Sequence, residues 1–203
     1  KYADVVVRIG LNLRKGQRLL LRGILEDAPL MRKVTESAYK AGAVYVEPIY
    51  TDERIARIRF EHADHESLTE VPNWMLTRYE EYYERMDAEL AIHSSDPELL
   101  AGIDPELIAK NRKASAEKFE PLRKYENTTN WCVVATASPA WARKVFPAVP
   151  AKEAVEKLWA EIFASCRIYE ADPVAAWQEH VEKLKKYRNY LNAQKFTALH
   201  YQS

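Results

Sequence analysis

Three carboxylates and two imidazoles crowd into six consecutive residues, Glu61-His62-Ala63-Asp64-His65-Glu66. Nitrogen and oxygen donors of this kind can hold zinc. The spacing works against it. On a helix His62 and Glu66 share a face while Asp64 points elsewhere; in a strand His62 and Asp64 lie on one side and His65 on the other. No regular backbone gathers the set, so the segment is expected to be an exposed polar turn leading into the next helix, and it is not expected to hold a metal.

A second group of polar residues falls after apolar runs that read as strands: Glu26, Asp27, Tyr50, Asp52, Ser94 and Ser95. In a doubly wound sheet these positions border the crevice at the carboxyl ends of the strands, the usual place for a ligand. Phosphoryl acceptance there would need an Asp at the end of the third strand, where this sequence has His93. His93 is the one site-like histidine, and a hydrogen-bonded core position is its expected place. His180 is expected in solvent. The first strand–helix turn, Arg22-Gly23-Ile24-Leu25-Glu26-Asp27, lacks both glycine-rich phosphate-binding patterns. No GxSxG or HExxH spacing occurs either. These residues assemble no catalytic centre, so the catalytic, cofactor-binding and metal-ligating positions expected within the chain number none.

The elements that would position such residues are legible. Apolar runs at Arg18–Arg22, Ala43–Tyr50, Ala88–His93 and Trp131–Thr136 read as strands. Leu19–Leu21 and Cys132–Ala135 are apolar without alternation, the pattern of strands covered on both faces. Asp96-Pro97, Asp104-Pro105, Ser138-Pro139 and Asp172-Pro173 each put a capping side chain before a proline, a helix start. Asp172 opens a helix with Val174, Trp177, Val181, Leu184, Tyr187 and Leu191 on one stripe. Val155, Leu158, Trp159, Ile162 and Phe163 repeat the pattern, Gly42 should stop a helix before the second strand, and Pro147 should end a short one. Phe196–Tyr201 reads as a last strand. Strands alternating with helices give an α/β fold: an open, mainly parallel sheet with helices on both faces, a Rossmann-like three-layer sandwich. No repeat or flexible linker divides residues 1–203, so they are expected to form one domain, the last two helices packed as an appendage.

Composition narrows the function. Thirty basic residues balance thirty acidic ones in the 203, so no nucleic-acid or membrane partner is expected. The run Lys183, Lys185, Lys186, Arg188 reads as the wet face of a helix. Lys1, Asp4 and Arg8 interrupt any secretory signal, and no apolar run spans a bilayer. Cys132 and Cys166, each in an apolar stretch, are expected as buried small hydrophobes and fit a reducing cytoplasm.

Landmarks along the whole chain resemble one family. Tyr2-Ala3-Asp4 and Gly10-Leu11-Asn12-Leu13-Arg14-Lys15-Gly16-Gln17 look like the opening helix and turn of the M29 thermophilic aminopeptidases. Ala38-Tyr39-Lys40-Ala41-Gly42-Ala43, Asp52-Glu53, Pro72-Asn73-Trp74, Ser138-Pro139-Ala140-Trp141-Ala142, Val145-Phe146-Pro147, Leu158-Trp159 and Asp172-Pro173-Val174-Ala175-Ala176-Trp177 follow in the family's order. Leu199-His200-Tyr201 resembles the junction to a second domain. The resemblance implies a two-domain cytoplasmic exopeptidase, a homodimer acting on peptides. It also implies two divalent metal ions (zinc, cobalt or magnesium), bound by Glu, His, Tyr and Asp in a C-terminal domain absent from this chain. No position here inherits a ligand role; Trp141 and Trp177 are expected to pack helices on the sheet. The alternatives are a stand-alone α/β small-molecule-binding module and a purely structural domain.

Overall fold

A computed structural model describes residues 1–125 and 128–202. The chain opens with α1 (Tyr2–Val5), prolonged by a wider π-helical turn over Val6–Gly10. It continues through β1 (Arg18–Ile24), α2 (Ala28–Lys40), β2 (Tyr45–Thr51), α3 (Glu53–His62), α4 (Asn73–Glu84) and β3 (Ala88–His93). Then come α5 (Pro105–Phe119), β4 (Trp131–Ala135), α6 (Pro139–Val145), α7 (Ala151–Ser165) and α8 (Pro173–Gln194). The four strands form one parallel sheet in the order β2-β1-β3-β4. Connections leave β1 toward β2 and then return to β3 on its other side. The switch point therefore lies between the carboxyl ends of β1 and β3.

The pleat sorts the side chains. Leu19, Leu21, Val46, Leu90 and Ile92 fill one face with the π-helical turn, α2 and α7, whose Val7, Met31, Val34, Ala38, Leu158 and Ile162 are buried in the same cluster. Trp141 and Trp177 pack against it, half-buried. The opposite face carries Leu20, Arg22, Glu89 and Ala91 beneath α4, α5 and the 3₁₀ turn Glu120–Tyr125. Helices cover both faces.

The capping signals at Asp104, Ser138 and Asp172 all act: each side chain accepts a backbone N–H of the first turn. Gly42 follows α2 with φ +99°, a conformation that suits glycine. Four expectations need correction. Asp96-Pro97 starts a run of turns rather than a helix, because Gly102 at φ +84° and the Asp104-Pro105 restart leave no room for one. Cys132–Ala135 is not covered on both faces: β4 is an edge strand, and Trp131 (60% exposed) and Val133 (54%) stand on its open side. Phe196–Tyr201 forms no strand and is exposed, since neither sheet edge comes to meet it. And α7 is no appendage, for Ala154, Leu158 and Ile162 belong to the central core.

Candidate functional site

The switch-point crevice is organised by Asp27. It follows β1 in the short 3₁₀ turn Leu25–Asp27 and is 1% exposed. Its Oδ2 accepts the Ile24 N–H (2.9 Å), while Oδ1 accepts the hydroxyls of Ser94 (2.8 Å) and Thr136 (2.6 Å). Those hydroxyls follow β3 and β4, so one carboxylate ties three strand ends together. A Cβ on Gly23 would sit 3.0 Å from Asp27 Oδ2 and from the Met31 sulfur; the missing side chain lets the carboxylate close over β1. With its acceptors engaged and solvent excluded, Asp27 offers no free base.

The other residues expected near the crevice do not converge on it. Glu26 and Ser95 are exposed and Tyr50 is partly so. Asp52 caps α3 by accepting the Arg54 N–H at 2.8 Å. His93 is exposed on the last residue of β3, not satisfied in the core, because its side chain leaves the sheet where the covering helices have ended. His180, expected in solvent, is half-buried instead: its ring meets Trp177 edge-on at 5.5 Å, and Nδ1 lies 3.1 Å from Arg167 Nη2. Within 61–66 every carboxylate and imidazole is exposed; Glu61 pairs with Arg57 (2.7 Å) and Asp64 accepts the Glu66 N–H (2.8 Å). Among the described residues no three His, Cys, Asp or Glu side chains are grouped to hold a metal ion. Cys132 and Cys166 are half-buried against the core. Burial pushes the Cys132 thiol up, so it is no activated nucleophile.

The cluster that sequence reasoning missed lies on the other face. Arg22 Nε donates to Glu89 Oε1 (2.7 Å), and the Tyr83 hydroxyl donates to Glu89 Oε2. Glu89 is 8% exposed, and the Arg22 guanidinium lies 5.6 Å from the Tyr79 ring centre. Two clefts, of about 370 and 540 Å³, share Arg22, Tyr83, Glu89 and Leu122 in their walls. Burial opposes the charge on Arg22, but the Glu89 carboxylate more than restores it and holds the guanidinium above its ordinary value. Burial, then the Glu89 charge, pushes the Tyr83 phenol well up. Opposite charges at inward positions of β1 and β3, with a tyrosine-rich helix to cover them, were the available signal. The arrangement holds a proton and an ion pair in place.

Burial also raises the phenols of Tyr2 and Tyr79, and that of Tyr82 to about 12. A folded-state pKa above the unfolded value of about 10 means the native state holds the proton more tightly. This stabilisation is complete below about pH 10 and is lost as the pH climbs through the folded values, for Tyr82 between about 10 and about 12. The tyrosines should therefore make Tm fall steeply above about pH 10, which thermal melts across that range would show. Tyr82→Phe should make that alkaline fall shallower.

An α/β fold with satisfied acids at its strand ends defines a scaffold class, and comparison with known proteins supplies the family. The model for thermophilic metalloproteases (M29) matches residues 1–203, and the chain belongs to that family. It is 39% identical to aminopeptidase T of Thermus thermophilus, with 99% of this chain and 50% of that protein covered. It is 38% identical to aminopeptidase 2 of Geobacillus stearothermophilus (100% and 50%) and 38% identical to aminopeptidase PepS of Streptococcus thermophilus (99% and 49%). The solved structure of wild-type AmpT from Thermus thermophilus superposes with a TM-score of 0.89 at 38% identity, covering 99% of this chain and 50% of that one. The chain thus spans about half the length of these relatives and corresponds to their first half. No helix among the described residues is long and apolar enough to cross a membrane.

Proposed function

We propose that this chain is the N-terminal α/β domain of a metal-dependent aminopeptidase that releases N-terminal amino acids from peptides. Its role is architectural: a rigid wall beside a C-terminal domain that carries the ligands for two divalent ions, zinc, cobalt or magnesium. The whole protein works as a cytoplasmic homodimer on peptide substrates. The observation that carries this reading is the whole-chain family match to proteins twice its length and named aminopeptidases. The geometry supports the division of labour. A metal pair would acidify a bound water and polarise the scissile carbonyl, which needs several carboxylates and imidazoles on one cavity. Among the described residues the acids near the crevice and in the 61–66 segment are engaged in caps and brackets or point into solvent, and no three His, Cys, Asp or Glu side chains are grouped.

Release of an amino acid from aminoacyl anilides, measured with zinc, cobalt or magnesium, tests the reading. The whole protein should turn over and lose its activity to a chelator. Residues 1–203 alone should give no metal-dependent turnover, and their melting temperature should not respond to the chelator. Robust turnover by residues 1–203 would overturn the division of labour. An inactive, fully metallated whole protein would overturn the activity.

A further inference from the structure

Helix α8 has two halves of different character. Its 22 residues make it about 33 Å long at 1.5 Å per residue. The first turns are anchored: Pro173 is buried, Val174 and Trp177 pack on the core, and the Trp177 indole N–H donates to the Cys166 carbonyl at 2.8 Å. From Glu182 onward every residue of the helix is exposed. The apolar stripe does not stop there. Leu184 (51% exposed), Tyr187 (67%) and Leu191 (51%) continue it at spacings of three and four. The polar side is dressed for water by Glu179–Lys183 and Glu182–Lys185 ion pairs. The stripe side of the projecting half is thus the more continuous apolar one, while the opposite side carries the ion pairs with Tyr190 among them.

The segment after the helix extends the apolar side. Lys195 takes a left-handed conformation at φ +52° and turns the chain, and Phe196 and Leu199 follow, each more than half exposed. They join Leu191 in the wall of an open cleft of about 500 Å³. The cleft opens directly beside the apolar helix face.

We infer that the apolar side of Leu184–Leu199 is the docking surface for the second half of the whole protein, which seats an apolar face against α8 and its tail. The inference rests on the two-domain reading above. Length and position point to this occupant: the relatives carry about as many residues again beyond the matched half, and the stripe lies at the end of that half. The surface thus fixes how the architectural half is held against its neighbour.

Hydroxyl-radical footprinting of the unmodified whole protein, read by mass spectrometry, tests this without any substitution. Oxidation at Leu184, Tyr187 and Leu191 should be at least about tenfold slower than after denaturation, at every protein concentration. A second arm places cysteine at Leu184→Cys and, on the exposed side, at Gln178→Cys; maleimide should label the first about tenfold more slowly. Rapid oxidation or labelling of the stripe in the folded whole protein overturns the proposal. So does protection that disappears on dilution, which would make a second copy the occupant. Neither readout uses turnover, so an inactive but protected protein would sink the aminopeptidase reading and leave the interface standing.

Discussion

Replacing Asp27 by alanine is expected to lower the unfolding free energy by about 3–5 kcal/mol, the range for stripping the partner from buried groups. The residue itself is small; the loss comes from what it leaves behind. The Ile24 N–H and the Ser94 and Thr136 hydroxyls would lose their shared acceptor and face a cavity at the ends of three strands. Leaving each unpaired costs about 1–3 kcal/mol, offset in part where water enters or a hydroxyl rotates. Asp27→Asn should be milder, about 1–3 kcal/mol. It keeps an oxygen for the two hydroxyls but turns a donor toward the Ile24 N–H. Urea unfolding at neutral pH gives both values. A loss below about 1 kcal/mol for Asp27→Ala would show that the three strand ends are held by other means.

The same residue shows how far the sequence could be read. An acidic pair after the first strand was visible, and so was the crevice it should border. What could not be seen was which member turns inward, because Glu26 and Asp27 differ only in their place on a tight turn. Ser94 was also placed at the crevice, but Thr136 was not, since a threonine ending an apolar run carries no signal of its own. The strands were legible because runs such as Leu19–Leu21 leave no alternative face to solvent. The same logic failed at Cys132–Ala135, where position at the sheet edge, a property of topology, decided the exposure of Val133. Helix starts were legible where a cap and a proline were followed by enough chain for several turns. Asp96-Pro97 had the cap without the length. His93 and His180 each took the reverse of the expected environment, because one side chain gives no periodicity to read.

The Arg22–Glu89 pair makes the second large prediction, and it turns on an asymmetry. Arg22→Met should destabilise the fold by about 3–5 kcal/mol, because it removes the cation and leaves the buried Glu89 carboxylate without its charged partner. The Tyr83 hydroxyl would remain as its partner, and one neutral donor does not replace a guanidinium. Glu89→Gln should cost less, about 1–3 kcal/mol, since Arg22 keeps 41% of its side chain exposed and can turn toward water. The double substitution Arg22→Met, Glu89→Leu should recover most of the loss. Apolar side chains beside Leu20, Leu122 and Tyr79 need no partner, and exchanging a buried ion pair for packed hydrophobes is often neutral or stabilising. For a domain of this size each kcal/mol moves Tm by roughly 2–4 °C, so melts of the three variants separate the cases. A double variant no more stable than Arg22→Met alone would mean the pair is held for its geometry, as a brace between β1, β3 and α4 that no apolar filling replaces. Recovery close to the parent would instead show that the charges contribute little net stability. The pair's place would then be explained by what it sets in register: β1, β3 and the tyrosines of α4 that close over them.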